Sequence, residues 1–487
     1  MSVEVATEKP SKTRYWVVVF AVALAVIQYI DRVCIAQSKL DIQRDLLLSP
    51  SAMSGVLSAF GLAYALFEIP SGWLGDRFGP RKALIRVVLW WSFFTIMTGV
   101  TGGFISLFAV RFLFGAGEAG CFPNLTRAFV NWLQPAERVR AQSILWLSAR
   151  WGGAITPLLV LAVLGALKDN GYTQAWRQSF FIFGIPGIIW VIVFARWMRD
   201  NPLEHPGVNA AEKKLLEPNA KFATSHANVP WKLFLSSRAA WLLWLQYFCV
   251  SYVWYFYVTE LPSYLKTQYG PDPVTHAPGL FSEQYLTRIS GMPLFFGGIG
   301  CLISGFVTKM LAAKFGLIKT RRFLASTGLL GTALAMGLIA VSHLNRSVSG
   351  DAIQLHPMTF GIALGLASMC SDFTMPCSWG GCMDVGGRFA GTFSGSMNMM
   401  GNVGGFLCPA VAGQFYLSTD ASRWPELAAY LRGNWNLFFW VMCGVALIGA
   451  ISWLFIDPVT PLEGEPVVIH PDTFVPQDVP ASVIEEL

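Results

Sequence analysis

The composition of this 487-residue chain excludes an ordinary soluble protein, because 54% of its residues are hydrophobic and only 13% are charged, against about 25% charged residues in soluble domains. Its mean hydropathy is +0.49, and apolar segments of about 20 residues, the length of a helix that crosses a bilayer, recur along the whole chain. The net charge of +6 does not indicate nucleic-acid binding, since the basic residues lie in short connections between these segments.

The apolar segments predict an all-α polytopic membrane protein with twelve transmembrane helices in two pseudo-symmetric six-helix halves. The first segment follows basic residues, as a signal peptide would, but it lacks a small-residue cleavage site, so we expect it to be retained. The predicted spans are 15–36, 52–74, 83–103, 106–132, 141–167, 180–198, 241–265, 290–312, 323–343, 359–384, 391–417 and 435–455.

A long polar segment rich in Pro, Lys and Glu divides six spans from six. We therefore expect an N-terminal half at 1–199, a cytoplasmic linker at 200–238, a C-terminal half at 239–456 and a cytoplasmic tail at 457–487. Lys and Arg are in excess in the connections on the side of the termini, so both termini are expected in the cytoplasm.

Two connections in the predicted halves resemble each other. The first reads Gly72-Trp-Leu-Gly-Asp-Arg-Phe-Gly-Pro-Arg-Lys82, and the second reads Lys314-Phe-Gly-Leu-Ile-Lys-Thr-Arg-Arg322. Both are short and basic and contain a Phe-Gly turn, although the second lacks the aspartate. Pseudo-repeated halves are typical of secondary transporters, whose substrate site lies between the repeats near the bilayer midplane.

The first connection resembles the signature loop of the major facilitator superfamily, in which an aspartate caps a neighbouring helix and basic residues hold the cytoplasmic gate. The resemblance implies gating roles for Asp76, Arg77, Arg81 and Lys82. A plain basic anchor on the cytoplasmic side is the alternative.

Three further stretches are similar to the anion:cation symporter family, which includes bacterial sugar-acid transporters and the sialin and vesicular glutamate carriers. They are Tyr29-Ile-Asp-Arg32, Arg111-Phe-Leu-Phe-Gly-Ala-Gly-Glu-Ala119 and Ala390-Gly-Thr-Phe-Ser-Gly-Ser-Met-Asn-Met-Met-Gly-Asn402. The resemblance implies proton-coupled uptake of an organic anion, and it implies no cofactor.

The fourth predicted span places Arg111 and Glu118 two helical turns apart on one face, beside glycines that allow neighbouring helices to approach. Buried charge is expensive in lipid, so such residues indicate a functional site; an inert ion pair between helices is the alternative. Counting 1.5 Å per residue places Arg111 at the depth of Asp31, as an expected partner, and Glu118 near the midplane.

The resemblance assigns proton coupling to Glu118, with Asp31 as a second carrier. Arg32 is the expected carboxylate clamp, because a guanidinium binds a carboxylate through two parallel hydrogen bonds. Arg111 is expected to pair with Asp31 or Glu118. Arg150 is either a second substrate contact or part of a structural ion pair.

The remaining pocket residues are expected to form a hydroxyl- and amide-binding part of the site. For the tryptophan, helix packing is an alternative, and for the two asparagines hydrogen bonding between helices is one. The candidates are Tyr64, Ser378, Trp379, Asn398 and Asn402.

Three acids add to or depart from the family pattern. Glu68 stands where an amide is expected and is interpreted as the partner of a base on the cytoplasmic side. Glu260 stands where an aromatic residue is commoner. Asp372 lies deep in the tenth span and is a candidate charge-pair residue.

Together these features predict a proton-coupled symporter of a sugar acid, such as a hexonate, hexuronate or aldarate, that works by rocker-switch alternating access. An organic-anion exchanger or efflux antiporter is the main alternative, and a membrane enzyme or receptor is a third. The titratable Glu118 favours the symporter, and no catalytic triad, metal site or phosphate loop is recognisable in the sequence. We expect a monomer in the bacterial inner membrane, with the anion, protons and lipid as its partners.

Overall fold

The computed structural model describes residues 9–223, 229–269, 281–348, 356–415 and 434–462. In these ranges the chain is helical apart from its connections, and each of the twelve predicted spans falls on helix, so the all-α prediction is confirmed. Nine helical stretches of the described chain are long and apolar enough to cross a membrane, one of which, Pro357–Ala412, runs through two predicted spans. Residues 416–417 of the eleventh span and 463–487 of the predicted tail lie outside the described residues.

The helices are, in chain order, α1 (Trp16–Asp45), α2 (Pro50–Phe78), α3 (Pro80–Thr98), α4 (Phe104–Glu118), α5 (Cys121–Trp132), α6 (Pro135–Asp169), α7 (Ala175–Trp197), α8 (Ala210–Ala223), α9 (Trp231–Ser236), α10 (Arg238–Tyr255), α11 (Leu261–Tyr269), α12 (Glu283–Ser290), α13 (Met292–Phe315), α14 (Leu317–Val348), α15 (Pro357–Gly386), α16 (Ala390–Ala412) and α17 (Trp435–Phe455).

The chain divides into two compact units, each formed from several segments. The assignment changes within α6, after Ser143, and within α16, after Val403. Unit 1 comprises the described residues of Met1–Gln134, Ile144–Trp231 and Gly386–Val403, and unit 2 comprises those of Pro135–Ser143, Lys232–Val385 and Gly404–Leu487.

In unit 1, α2 packs along α4, and α3 packs along both α4 and α7. The glycines at residues 115–120 allow a neighbouring helix to approach closely, as the sequence predicted. A Cβ atom on Gly115 would lie 2.5 Å from the carbonyl oxygen of Phe60, and one on Gly120 would lie 2.8 Å from Cβ of Ser71. These glycines therefore allow α4 and α5 to approach α2 at backbone distance.

The two similar connections share a backbone turn. Gly79 joins α2 to α3 with φ of 87°, and Gly316 joins α13 to α14 with φ of 78°. Each follows the phenylalanine that ends the preceding helix. Side chains other than glycine are strained in this left-handed region, so the Phe-Gly pattern that indicated an internal repeat corresponds to one turn used twice.

In unit 2, α17 packs along α14 and α10. A cluster of aromatic rings forms the core, with Phe256 and Tyr264 close to Phe439. Between α10 and α11 the chain makes a π-helical turn at Phe256–Glu260, a local widening of the helix that often occurs at functional sites.

Candidate functional site: a buried guanidinium–carboxylate pair

The centre of the candidate site is an ion pair between Arg32 of α1 and Glu118, the last residue of α4. Nε of Arg32 donates to Oε1 of Glu118 at 2.8 Å, and Nη2 donates to the same oxygen. Nε2 of Gln28 donates to it as well, at 2.8 Å. The carboxylate is fully buried, whereas the Arg32 side chain keeps 25% of its surface exposed. The pair therefore combines a shielded acid with a partly accessible cation.

Aromatic rings surround the guanidinium of Arg32. Its Cζ lies 4.8 Å from the ring centroid of Tyr64, 5.2 Å from that of Phe60 and 5.7 Å from that of Tyr29. Cation–π attraction to these faces orients the guanidinium. The predicted pocket residue Tyr64 thus lies beside the predicted clamp Arg32.

The expected ion pair between Asp31 and Arg111 is wrong. Among the described residues Arg111 forms no salt bridge, and both oxygens of Asp31 and two nitrogens of Arg111 are buried without a hydrogen-bond partner. The Arg111 guanidinium lies instead 4.2 Å from the ring centroid of Phe114, one turn along its own helix. Helical rise fixes the depth of a residue but not the direction of its side chain, which explains the error.

Glu118 and Arg111 are nevertheless the charged neighbours of Asp31, and the indole of Trp91 lies beside its carboxylate. Arg150 is also buried in unit 1, where its Cζ lies 5.5 Å from the ring centroid of Trp146.

Glu68 of α2 is a further buried acid near Arg32. Its hydrogen-bond partners are not those that the sequence predicted. Nδ2 of Asn402 donates to its Oε2 at 2.9 Å, and Nδ2 of Asn398 donates to its Oε1. The expected pairing of Glu68 with a cytoplasmic base is wrong, since within the described ranges it forms no salt bridge. Hydrogen bonding between helices, the alternative for the two asparagines, is present. Their i, i+4 spacing is the sequence signal for a shared partner.

The three candidates of unit 2 are buried and engaged. Oγ of Ser378 donates to Oε1 of Gln246 at 3.0 Å. Nε1 of Trp379 donates to the hydroxyl of Tyr247 at 3.3 Å, so its packing role is present. Asp372 lies in α15, close enough to α13 that a Cβ on Gly297 would be 3.1 Å from its Cγ.

The capping aspartate expected in the signature loop is confirmed. Asp76, in the last turn of α2, accepts hydrogen bonds from the backbone N–H groups of Gly391 at 2.9 Å and Thr392 at 2.6 Å, and from Oγ1 of Thr392 at 2.7 Å. It also pairs with Arg127, whose Nε lies 3.4 Å from Oδ1. The carboxylate thereby satisfies free N–H groups at the start of α16 and opposes the positive end of its dipole.

The basic residues of the loop take different positions. Arg77 packs over Trp73, with 5.2 Å from Cζ to the ring centroid. The backbone N–H of Arg81 donates to Oδ1 of Asp200 at 2.8 Å, and Lys82 is exposed. Burial raises the pKa of the Asp200 carboxyl, and the neighbouring Arg81 acts in the opposite direction.

Sequence reasoning missed a second charged cluster, in unit 2. Asp384, near the end of α15, accepts from Arg138 at 2.5 Å and from Arg321 at 2.7 Å, and all three side chains are buried. The connection that contains Arg321 has no aspartate, unlike the similar connection that contains Asp76. This difference was the available signal that its arginines pair with an acid elsewhere in the chain. Gln28 and Arg127 were missed as well.

The family model of the Major Facilitator Superfamily matches residues 21–409 of the chain. The Probable sulfoacetate transporter SauU of Cupriavidus necator is 31% identical over 92% of this chain and 94% of its own length. The Probable galactarate/D-glucarate transporter GudP of Escherichia coli is 27% identical over 93% and 97%. The Hexuronate transporter of Bacillus subtilis is 26% identical over 83% and 88%.

Solved structures of low sequence identity share the fold. The proton:xylose symporter XylE bound to 6-bromo-6-deoxy-D-glucose is 14% identical, with a TM-score of 0.67 over 92% of this chain and 98% of that one. The fucose:proton symporter FucP of E. coli is 12% identical, with a TM-score of 0.64 over 91% and 99%.

Proposed function

This chain belongs to the Major Facilitator Superfamily, and from that premise we propose that it takes up a sugar acid together with protons. It is a multi-pass membrane transporter of small organic anions and not an enzyme. The proposed cargo is a hexonate, hexuronate or aldarate, or a related carboxylate. The names of the relatives support this class, since they include transporters of galactarate or glucarate and of hexuronate.

The observation that carries the proposal is the hydrogen-bonded pair of Arg32 and Glu118. A substrate carboxylate that binds the partly exposed guanidinium competes for the N–H groups that Glu118 now accepts. A buried carboxylate that loses its cationic partner is more stable as the protonated acid. Anion binding then favours proton binding at Glu118, and linkage requires the reverse to hold equally.

Asp31 is the proposed second proton carrier. Neither oxygen of its buried carboxylate accepts a hydrogen bond from the described residues, and Glu118 and Arg111 are its charged neighbours. Like charges in a shared low-dielectric environment favour a proton on one of the two acids. Arg111, also a neighbour of both, is proposed to tune this balance.

The other assignments complete the proposal. Substrate contacts are proposed for Tyr64, Arg150, Ser378, Trp379, Asn398 and Asn402. Asp372 is kept as a coupling residue, and Asp76, Arg77, Arg81 and Lys82 as gating residues. We propose a monomer of two six-helix halves in the bacterial inner membrane, with cytoplasmic termini and rocker-switch alternating access.

Uptake by the purified protein in liposomes tests the function. Labelled hexonates, hexuronates, aldarates and sulfoacetate are supplied with and without an inward proton gradient, with protein-free liposomes as the control. We expect concentrative uptake of at least one sugar acid that collapses when a protonophore dissipates the gradient. Uptake that is concentrative but insensitive to the gradient would exclude proton symport, and uptake that requires internal anion would identify an exchanger.

A further inference from the structure

Glu68 is a buried acid that the coupling mechanism does not use. It follows Tyr64 by one helical turn on α2, so the two side chains share a helix face. Its residue exposure is 0%, and Arg32 is its charged neighbour. Glu68 is therefore near Arg32 but is not itself accessible to a substrate.

The two amides that bind Glu68 have a defined orientation. Nδ2 of Asn398 and Nδ2 of Asn402 each point to one carboxylate oxygen. The oxygen and nitrogen of a planar amide diverge by about 120°, so each Oδ1 points away from Glu68. Both asparagines are partly exposed, whereas Glu68 is not. In the part of the chain that the structure describes, Oδ1 of Asn398 accepts no hydrogen bond, and it is not a buried atom.

We propose that Glu68 is a positioning residue that selects the group which the substrate presents to Asn398 when its carboxylate is bound by Arg32. By holding both Nδ2 groups, it turns both carbonyl oxygens away from itself and presents that of Asn398 to the substrate. Carbonyl oxygens accept hydrogen bonds from hydroxyl groups and repel a second anionic group. The inference rests on the proposed function, and it narrows the cargo to hydroxylated monocarboxylates, with dicarboxylates disfavoured.

Galactonate and galactarate are a matched pair for testing this selectivity. They share the same carbon skeleton and differ at C6, which is a hydroxymethyl group in one and a carboxylate in the other. Each is measured as an inhibitor of the uptake of whichever labelled sugar acid the wild-type protein carries. We expect galactonate to inhibit at a concentration about 10-fold lower than galactarate, the ratio that the net contribution of one hydrogen bond produces.

The Glu68→Gln variant changes the amide orientation without changing the size of the side chain. Glutamine offers one oxygen and one NH₂ group, so one asparagine must turn its Oδ1 inward and present its Nδ2 to the substrate. An Nδ2 group can donate a hydrogen bond to the C6 carboxylate of galactarate. The preference for galactonate should therefore fall about 10-fold, so that the two compounds inhibit at similar concentrations. The Glu217→Gln variant, on the exposed side of α8, is the matched control and should keep the wild-type ratio.

A second variant covers the case in which Glu68→Gln does not fold, which gel filtration in detergent detects. Asn398→Ala removes one of the two carbonyl oxygens and should also lower the preference for galactonate. An inhibition ratio near one in the wild type, or an unchanged ratio in the folded variants, would overturn the inference while the proposed function stands. A wild-type protein that carries no sugar acid would overturn both.

Discussion

Arg32 donates two hydrogen bonds to a single oxygen of Glu118, and the other oxygen of that carboxylate accepts none from the described residues. Gln28 adds a third donor to the same oxygen. Oε2 is therefore the oxygen of this carboxylate that the described residues leave without a hydrogen bond. Under the proposed function, Oε1 holds the Arg32 guanidinium and Oε2 is the oxygen left to accept the coupled proton.

Glu118→Gln should separate substrate movement from proton movement. Glutamine keeps an oxygen that can accept hydrogen bonds from Arg32 and Gln28, but it does not bind or release a proton at physiological pH. We expect the variant to retain exchange of labelled for unlabelled substrate across liposomes and to lose accumulation driven by a proton gradient. Glu217→Gln is the control for the chemical change. Loss of exchange and accumulation together would point to a purely structural Glu118.

Arg32→Lys should weaken substrate binding and leave the site cationic. Lysine keeps the positive charge but lacks the planar fork that binds a carboxylate through two hydrogen bonds. Losing one charge-assisted hydrogen bond corresponds to a KM about 10- to 100-fold higher, with a smaller change in kcat. The control is Arg44→Lys, because the Arg44 side chain is 78% exposed. This variant should not change KM. An unchanged KM in Arg32→Lys would show that Arg32 does not bind the substrate carboxylate through two hydrogen bonds.

Asp76→Asn should destabilise the protein, because it removes the carboxylate that pairs with the buried Arg127 and caps α16. Removing one partner of a buried ion pair costs about 3–5 kcal/mol, and the cap is lost only in part, because asparagine keeps one acceptor oxygen for the N–H groups of α16. The apparent melting temperature in detergent should fall clearly, and transport should fall with it. The double variant Asp76→Asn with Arg127→Gln should recover part of the loss, because the charge that paired with Asp76 is then removed as well. Additive losses in the double variant would argue against this pairing.

Gly72→Ala and Gly61→Ala, both in α2, should have opposite effects. A Cβ on Gly72 would lie 2.7 Å from the carbonyl carbon of Gly391, whereas a Cβ on Gly61 meets no atom within 4 Å. Because the obstacle is backbone, Gly72→Ala must displace the start of α16 and should lower the melting temperature. Gly61→Ala should be neutral or stabilising, by up to about 1 kcal/mol from helix propensity. Equal melting temperatures would show that α2 and α16 do not pack this closely.

The sequence predicted local features well and partners across helices poorly. Apolar segments located all twelve spans, and the loop motif located the cap at Asp76, because each of these signals lies within a short stretch of chain. The partner of Arg32 was not found, because depth along a helix does not tell which way a side chain turns. Asp384 was missed for another reason: Arg321 and Arg138 lie 63 and 246 positions away from it, too far for any local pattern to connect them.

Helices α2 and α16 are joined at two heights by acids of the same helix. Glu68 holds Asn398 and Asn402, and eight residues further on Asp76 holds the first turn of α16, a separation of about 12 Å. A substrate that binds at these amides, as proposed, contacts α16 at the height of the first attachment, whereas the Asp76 cap holds the first turn of the helix. The amide contacts and the cap are thus two separate attachments of α16 to α2, so loss of either acid leaves the hydrogen bonds of the other in place.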